Sequence, residues 1–225
     1  MDNSLDFDYC IFSTGGGILN WKTKEFIEMH NFSKQETKKI LNFLLDEKLD
    51  FMIHQTIPDN HNYFYHKKPE TKTSEFCTRA EIYGHFCAPY HPDTVFEESA
   101  QFLIVSEKHR DFDLFEKLKN QFPSEKYSVI MTTSPIDNYS TWIEIFPEQV
   151  SKAKAAKRLL KYLNIPHKNT MAIGNDFNDH DLLDWAYSSY VVANAPKELC
   201  GKCKIVASNV NSGFAEAVDD WLNLN

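Results

Sequence analysis

The segment that most constrains this chain is Gly174–Asp179, which reads Gly-Asn-Asp-Phe-Asn-Asp and follows the apolar run 170–173. A short apolar run predicts a buried strand, and a helical pattern follows the segment. Carboxylate and carboxamide oxygens suit Mg²⁺, which usually shares its shell with water and a substrate phosphate. Since ligands bind beyond the carboxyl ends of strands in open α/β sheets, the pattern predicts a cation site there. Alternatively, these side chains merely cap a helix that starts near Asn178.

A second feature is Lys152, in the first turn of a predicted helix whose apolar residues between 156 and 163 recur at helical spacing. The helix dipole favours anions in that turn, so a lysine there indicates another role. We expect Lys152 and Asp176 to meet at one edge of the sheet. An ammonium beside a bound cation can neutralise a phosphoryl group during transfer. The alternative is a solvated lysine on a helix rich in basic residues.

The final third of the chain resembles the haloacid dehalogenase (HAD) superfamily, specifically its sugar-phosphate phosphatases with a large α/β cap. The matching segments are Val150–Lys152, Ala172–Asp179, Leu182–Leu183, Val192–Ala195, Ser208–Asn209 and Ser212–Phe214. The resemblance implies an α/β fold with a HAD-like, Rossmannoid parallel-sheet core. It also implies a phosphohydrolase that uses Mg²⁺ and acts on a small phosphate ester such as a sugar phosphate.

The resemblance also implies roles for individual residues. Lys152 would be catalytic, orienting the nucleophile and offsetting charge, while Asn178 and Asn194 would contact the substrate or its phosphate. The family has an acidic metal ligand where this chain has Asn175. The cation would then be coordinated by Asp176 or Asp179, or would accept the Asn175 oxygen as a weaker neutral ligand.

The amino-terminal part of the chain departs from the family. The family's nucleophile motif, Asp-x-Asp-Gly-Thr, and its Thr/Ser-Gly-Arg phosphate loop do not occur in these 225 residues. The nearest substitute, Asp6-Phe7-Asp8, precedes its apolar run instead of following one, so we expect polar residues at a strand entrance. The chain is therefore expected to begin after the family's first two motifs, with an incomplete core.

The segment Asp8–Leu19 resembles a later family element, the strand and Asn-Gly-Ala turn that leads into the cap. By this resemblance, Ser13, Thr14 and Gly15 would contact the phosphate ligand. The run Gly15–Gly17 offers a backbone able to adopt positive φ and to approach a ligand closely. It is neither a P-loop nor a dinucleotide fingerprint, because no Gly-Lys-Ser/Thr follows and no helix is expected to open after it.

The middle of the chain is expected to form the cap. We assign residues 1–21 and 147–225 to the core and 22–146 to an inserted α+β cap domain. Ser33 and Glu36 form a capping box for a first helix. Strands are predicted at 50–54, 62–66, 102–105, 127–131 and 141–146, a helix at 112–122, and a helical or irregular region at 71–84. His61 lies in a polar loop that could contact the substrate, although surface loops are polar in any case.

The composition of the chain limits the classes of partner that it is expected to bind. The net charge is −8, from 24 basic and 32 acidic residues, which opposes binding to a nucleic-acid backbone. No apolar stretch is long enough for a membrane span. Five cysteines, an odd number, and no recognisable secretory leader indicate a reducing cytoplasm.

The function expected from these observations is an aspartyl-phosphate phosphohydrolase whose nucleophile is absent from this chain, so that the chain alone is weakly active or inactive. Two alternatives stay open. One is a non-catalytic module that binds a phosphorylated ligand. The other is an interaction protein that forms a homo-oligomer through an incomplete sheet edge.

Overall fold

The computed structural model describes residues 7–69 and 74–224. The chain divides into two compact units, Met1–Val150 and Ser151–Asn225, called here the first and second unit. The predicted division into a core (1–21 and 147–225) and a cap stays a prediction. Asp6 lies outside the described residues, as do residues 70–73 and therefore the start of the predicted 71–84 region. Within the described ranges, no helix is both long and apolar enough to cross a membrane.

The first unit opens with a small antiparallel sheet. Its strands are β1 (Tyr9–Phe12), β2 (Gly17–Asn20) and β3 (Phe26–Met29), in that order. A tight turn, Ser13–Gly15, joins β1 to β2, and all three of its residues have positive φ. Of the glycines able to adopt positive φ, Gly15 does so, at 99°, whereas Gly16 lies at −69°. Close packing explains Gly16, because a Cβ there would lie 2.9 Å from Ile57 Cδ1.

The rest of the first unit is built on a six-stranded sheet. Its strands are β4 (Phe51–His54), β5 (Tyr63–His66), β6 (Cys87–Pro89), β7 (Gln101–Ser106), β8 (Tyr127–Thr133) and β9 (Thr141–Pro147). Their order is β6-β5-β4-β7-β9-β8. Every neighbouring pair is antiparallel except β5 and β6, which are parallel. The short edge strand β6 was not predicted.

Three helices accompany this sheet: α1 (Lys34–Asp46), α2 (Ser74–Ile82) and α3 (Phe112–Gln121). The predicted capping box is confirmed, since the Ser33 hydroxyl accepts from the Glu36 N–H and the Glu36 carboxylate accepts from the Ser33 N–H. One stripe of α1 is buried, with Ile40 and Leu44 fully inaccessible. Amphipathic helices that bury one stripe beside a sheet are typical of α+β units.

The second unit contains a parallel sheet. Its elements are α4 (Lys152–Leu163), β10 (Met171–Gly174), α5 (His180–Trp185), β11 (Ser188–Val192), β12 (Lys204–Val206) and α6 (Gly213–Leu224). The strands lie in the order β10-β11-β12, and both pairs are parallel. Tyr190, Val192, Val206 and Ala217 form the buried cluster between the sheet and α6. The predicted parallel α/β core is thereby confirmed in this unit, and α4 begins at the predicted lysine.

Candidate active site

The acidic turn after β10 folds back tightly on itself. Gly174 ends the strand, and residues 177–179 form one turn of 3₁₀ helix that leads into α5. A Cβ on Gly174 would lie 2.6 Å from Asp179 Cβ and 2.9 Å from Leu183 Cδ1, so only glycine leaves room for this turn. Two carboxylates, those of Asp176 and Asp179, are buried here, at the carboxyl end of a parallel strand.

Asp176 acts partly as a helix cap. Its Oδ1 accepts a hydrogen bond from the Phe177 N–H at 2.7 Å. The capping alternative raised from the sequence therefore applies to Asp176. The side chain of Asn175 is exposed and that of Asn178 is half-buried.

Asp179 holds the turn together and binds the lysine. Its Oδ2 accepts from the Asn175 N–H at 2.9 Å, and its Oδ1 forms an ion pair with Lys152 Nζ. The Asp179 side chain is 7% exposed and that of Lys152 is 30% exposed, so the pair is largely shielded from water. A shielded pair of this kind is stronger than one on the open surface. The structure thus brings Lys152 to Asp179, where the sequence had suggested Asp176.

The first turn of α4 is held from two sides. The Ser151 hydroxyl accepts from the Lys154 N–H at 3.1 Å, which is ordinary N-capping. Asp181 Oδ2, from α5, accepts from the Ala153 N–H at 3.2 Å. Sequence reasoning missed Asp181. The available signal was that α4 has no acidic residue in its own first turn, so a carboxylate from elsewhere could serve the helix dipole.

Asn194 ties two loops of the second unit together. Its Oδ1 accepts from the Asn209 N–H, and its Nδ2 donates to Asn209 Oδ1, both at 3.1 Å. The loop after β11 is therefore fixed to the turn that precedes α6. Contact between Asn194 and a substrate stays a prediction.

The other predicted ligand contacts lie in the first unit. Ser13 Oγ accepts a hydrogen bond from Asn60 Nδ2 at 2.7 Å, so the Ser13–Gly15 turn is joined to the loop that carries His61. The His61 ring meets the Phe86 ring edge to face, with centroids 5.1 Å apart. Sequence reasoning did not identify Asn60. Whether Ser13, Thr14, Gly15 and His61 bind a phosphate ester stays a prediction.

The donors of the acidic turn suit part of a Mg²⁺ site. Mg²⁺ commonly takes one or two carboxylates and completes its shell with water and phosphate oxygens. Asp176 and Asp179 offer donors of this chemistry, although both Asp179 oxygens already have partners. Within the part of the chain that is described, no group of three or more His, Cys, Asp or Glu side chains could hold a metal alone. A Mg²⁺ bound here would take its remaining ligands from other oxygens, such as those of Asn175, water and the phosphate ester.

Comparison with known proteins identifies relatives. A Streptococcus pyogenes serotype M6 protein provisionally named a phosphatase is 33% identical over 114 residues, which span 49% of this chain and 40% of the relative's length. YxeH of Bacillus subtilis strain 168, also provisionally named a phosphatase, is 24% identical over 216 residues, or 95% of this chain and 75% of the relative. The solved structure of a HAD subclass IIB sugar phosphatase matches with a TM-score of 0.70 at 14% identity, covering 95% of this chain and 75% of that chain.

The structural match supports the fold, since its sequence identity is too low to carry function. Similarity in sequence extends well beyond the final third of the chain, where the recognised motifs lie. The model of one family, described as haloacid dehalogenase-like hydrolase, matches residues 2–218. Because that match spans nearly the whole sequence, this chain belongs to the family of haloacid dehalogenase-like hydrolases.

Proposed function

We propose that this chain carries the phosphate-binding lysine and acidic turn of a Mg²⁺-dependent phosphohydrolase that acts on a small phosphate ester such as a sugar phosphate. The observation that carries the proposal is the shielded ion pair between Lys152 and Asp179 at the carboxyl end of β10. Family membership supports the reaction class. The sugar-phosphate substrate is proposed from the resemblance of the motifs in the final third of the chain, and the fold shared with a sugar phosphatase is compatible with it.

In this proposal Lys152 provides positive charge to a phosphoryl oxygen. An ammonium is a compact positive charge, so it can neutralise negative charge as it builds on the phosphoryl oxygens. Asp176 and Asp179 would hold Mg²⁺, with the exposed Asn175 side chain as a weaker neutral ligand. The cation supplies further charge neutralisation when it is bound. Asn178 and Asn194 would donate hydrogen bonds to the ester.

The nucleophile is the unusual element of the proposal. No Asp-x-Asp-Gly-Thr occurs in these 225 residues, and the family's aspartyl-phosphate chemistry depends on that motif. Loss of a covalent nucleophile lowers turnover by orders of magnitude. We therefore propose that the chain by itself hydrolyses phosphate esters weakly or not at all. The Ser13–Gly15 turn and His61 are proposed as further substrate contacts, supported by the hydrogen bond from Asn60 to Ser13.

A second candidate is a non-catalytic module that binds a phosphorylated ligand. The same pair of observations favours it, since the lysine and acidic turn are retained while the nucleophile motif is absent.

Self-association is a related proposal. Among the described strands, β10 pairs only with β11, and an unpaired strand edge invites pairing with another chain. Five free thiols support a reducing cytoplasm, and the net charge of −8 opposes nucleic acid as a partner.

Two measurements test these proposals. The first is hydrolysis of p-nitrophenyl phosphate and hexose phosphates with Mg²⁺, where we expect little or no turnover. Robust turnover would show that a nucleophile other than the family's motif is present. The second is calorimetric binding of inorganic phosphate with Mg²⁺ to the parent chain and to Lys152→Ala. The proposal requires binding that Lys152→Ala weakens, with Lys161→Ala, on the same helix, as the matched control.

A further inference from the structure

The first turn of α4 combines an unfavourable residue with an unusual cap. Lys152 is its first residue, and the turn has no acidic side chain of its own, so the positive end of the helix dipole faces a positive charge. The Ser151 hydroxyl caps the Lys154 N–H. The neighbouring Ala153 N–H is instead bound by Asp181, a carboxylate from α5. The helix therefore receives its missing negative charge from another element.

The geometry connects this cap to the ion pair. Asp179 and Asp181 lie two residues apart along the chain, and both reach the first turn of α4. Asp179 binds the side chain of Lys152, while Asp181 binds the backbone one residue later, at Ala153. One segment thus fixes both the backbone from which the lysine extends and the ammonium at its end. A side chain held at both ends loses little freedom when it meets a ligand.

We propose that Asp181 is a positioning residue for Lys152: it holds the start of α4 so that the ammonium stays beside Asp179. Asp181 itself is not placed on a ligand. Its effect on phosphate binding rests on the function proposed above, whereas its effect on Lys152 does not. Because Ser151 still caps α4, removing the Asp181 carboxylate should loosen the first turn without unfolding the helix.

The first test measures how accessible the Lys152 amine is. The protein is treated with formaldehyde and a borohydride reagent, and the methylation rate of each lysine is followed by mass spectrometry, with Lys161 as the internal reference. Loss of a helix cap corresponds to about a fivefold change in an equilibrium, so Asp181→Ala should raise the Lys152 rate about fivefold. Asp181→Asn keeps an acceptor oxygen and should restore most of the protection. Asp184→Ala removes a carboxylate from the same helix and should leave the rate unchanged.

An unchanged Lys152 rate in Asp181→Ala would overturn the proposal. So would an equal rise for Lys161, because that would indicate general loosening of α4. These outcomes do not depend on whether the chain binds phosphate or catalyses a reaction.

The second test asks whether Asp181 acts through Lys152. Inorganic phosphate binding with Mg²⁺ is measured calorimetrically in a double-mutant cycle. Asp181→Ala should weaken binding about fivefold in the parent chain and have no further effect when Lys152→Ala is present. An equal loss in both backgrounds would overturn the positioning role. If the parent binds no phosphate while Lys152 still responds to Asp181→Ala, the proposed function fails and the positioning role stands.

Discussion

His54 should make the free energy of unfolding fall as the pH drops below neutrality. The residue is 5% exposed, and its Nδ1 lies 2.7 Å from the Asn60 carbonyl oxygen, which can only accept a hydrogen bond. Nδ1 therefore carries the proton, and the bare Nε2 has no hydrogen-bond partner in the described part of the chain. Burial is the main cause that lowers the pKa of His54 from 6.5 to about 4; the Asn60 bond opposes this, and the charge of Arg79 adds to it.

The sign follows from proton linkage. Between pH 6.5 and about 4 the unfolded chain protonates His54 while the folded chain largely does not, so each unit of falling pH lowers the free energy of unfolding by up to about 1.4 kcal/mol. Between 6.5 and the folded-state pKa of about 4, the loss amounts to about 3 kcal/mol. Above pH 6.5 His54 contributes no slope.

Urea unfolding of the parent and of His54→Gln from pH 4 to 8 would measure this loss. The difference between the two free energies should be flat above pH 6.5 and should change by about 3 kcal/mol towards pH 4. His85→Gln, at an exposed histidine of the same unit, is the matched control and should follow the parent. A parent and His54→Gln that keep a constant difference over the whole range would refute the assignment of a buried, neutral His54.

Three further changes test particular contacts. Gly174→Ala should lower the free energy of unfolding by about 1–3 kcal/mol and weaken phosphate binding, because the new Cβ would displace Asp179. Urea unfolding measures the first effect and calorimetry the second. Unchanged values would contradict the close packing at Gly174. Asn60→Ala should lower the free energy of unfolding by about 1 kcal/mol, because it removes the hydrogen bond to Ser13. The loop that carries His61 should then be cleaved faster by proteases, and equal cleavage rates would contradict a stabilising role for this hydrogen bond. Ser33→Ala should lower the free energy of unfolding, measured in urea, by about 1 kcal/mol because the helix cap is lost. Ser33→Asn keeps a capping side chain and should retain most of the stability.

Local patterns predicted the elements well. Ser33 capped the expected helix because its signal, a serine with a glutamate three residues on, is contained in four consecutive residues. The parallel sheet of the second unit was also predictable, because apolar runs alternated with helical spacing. Strand β6 was missed because three residues are too few to show a period, and a proline at its end argues against a strand.

The candidate site was only partly predictable. The sequence indicated that Lys152 and the acidic turn would share one edge of the sheet, because the helix that starts near Lys152 leads back to the strand that ends at the acidic turn. It could not show which carboxylate binds the ammonium, because Asp176 and Asp179 have the same chemistry and their spacing along the chain does not reveal that Asp179 packs against Gly174. Asp181 was missed because a cap supplied by a different helix leaves no fixed spacing to read.

The two oxygens of Asp179 have different partners. Oδ2 accepts a hydrogen bond from the Asn175 N–H of its own turn, and Oδ1 forms an ion pair with the ammonium of Lys152. Under the proposed function, an anion that takes the ammonium from Oδ1 would leave the hydrogen bond between Oδ2 and the Asn175 N–H intact. The turn would then keep its conformation while one anion replaces another beside Lys152.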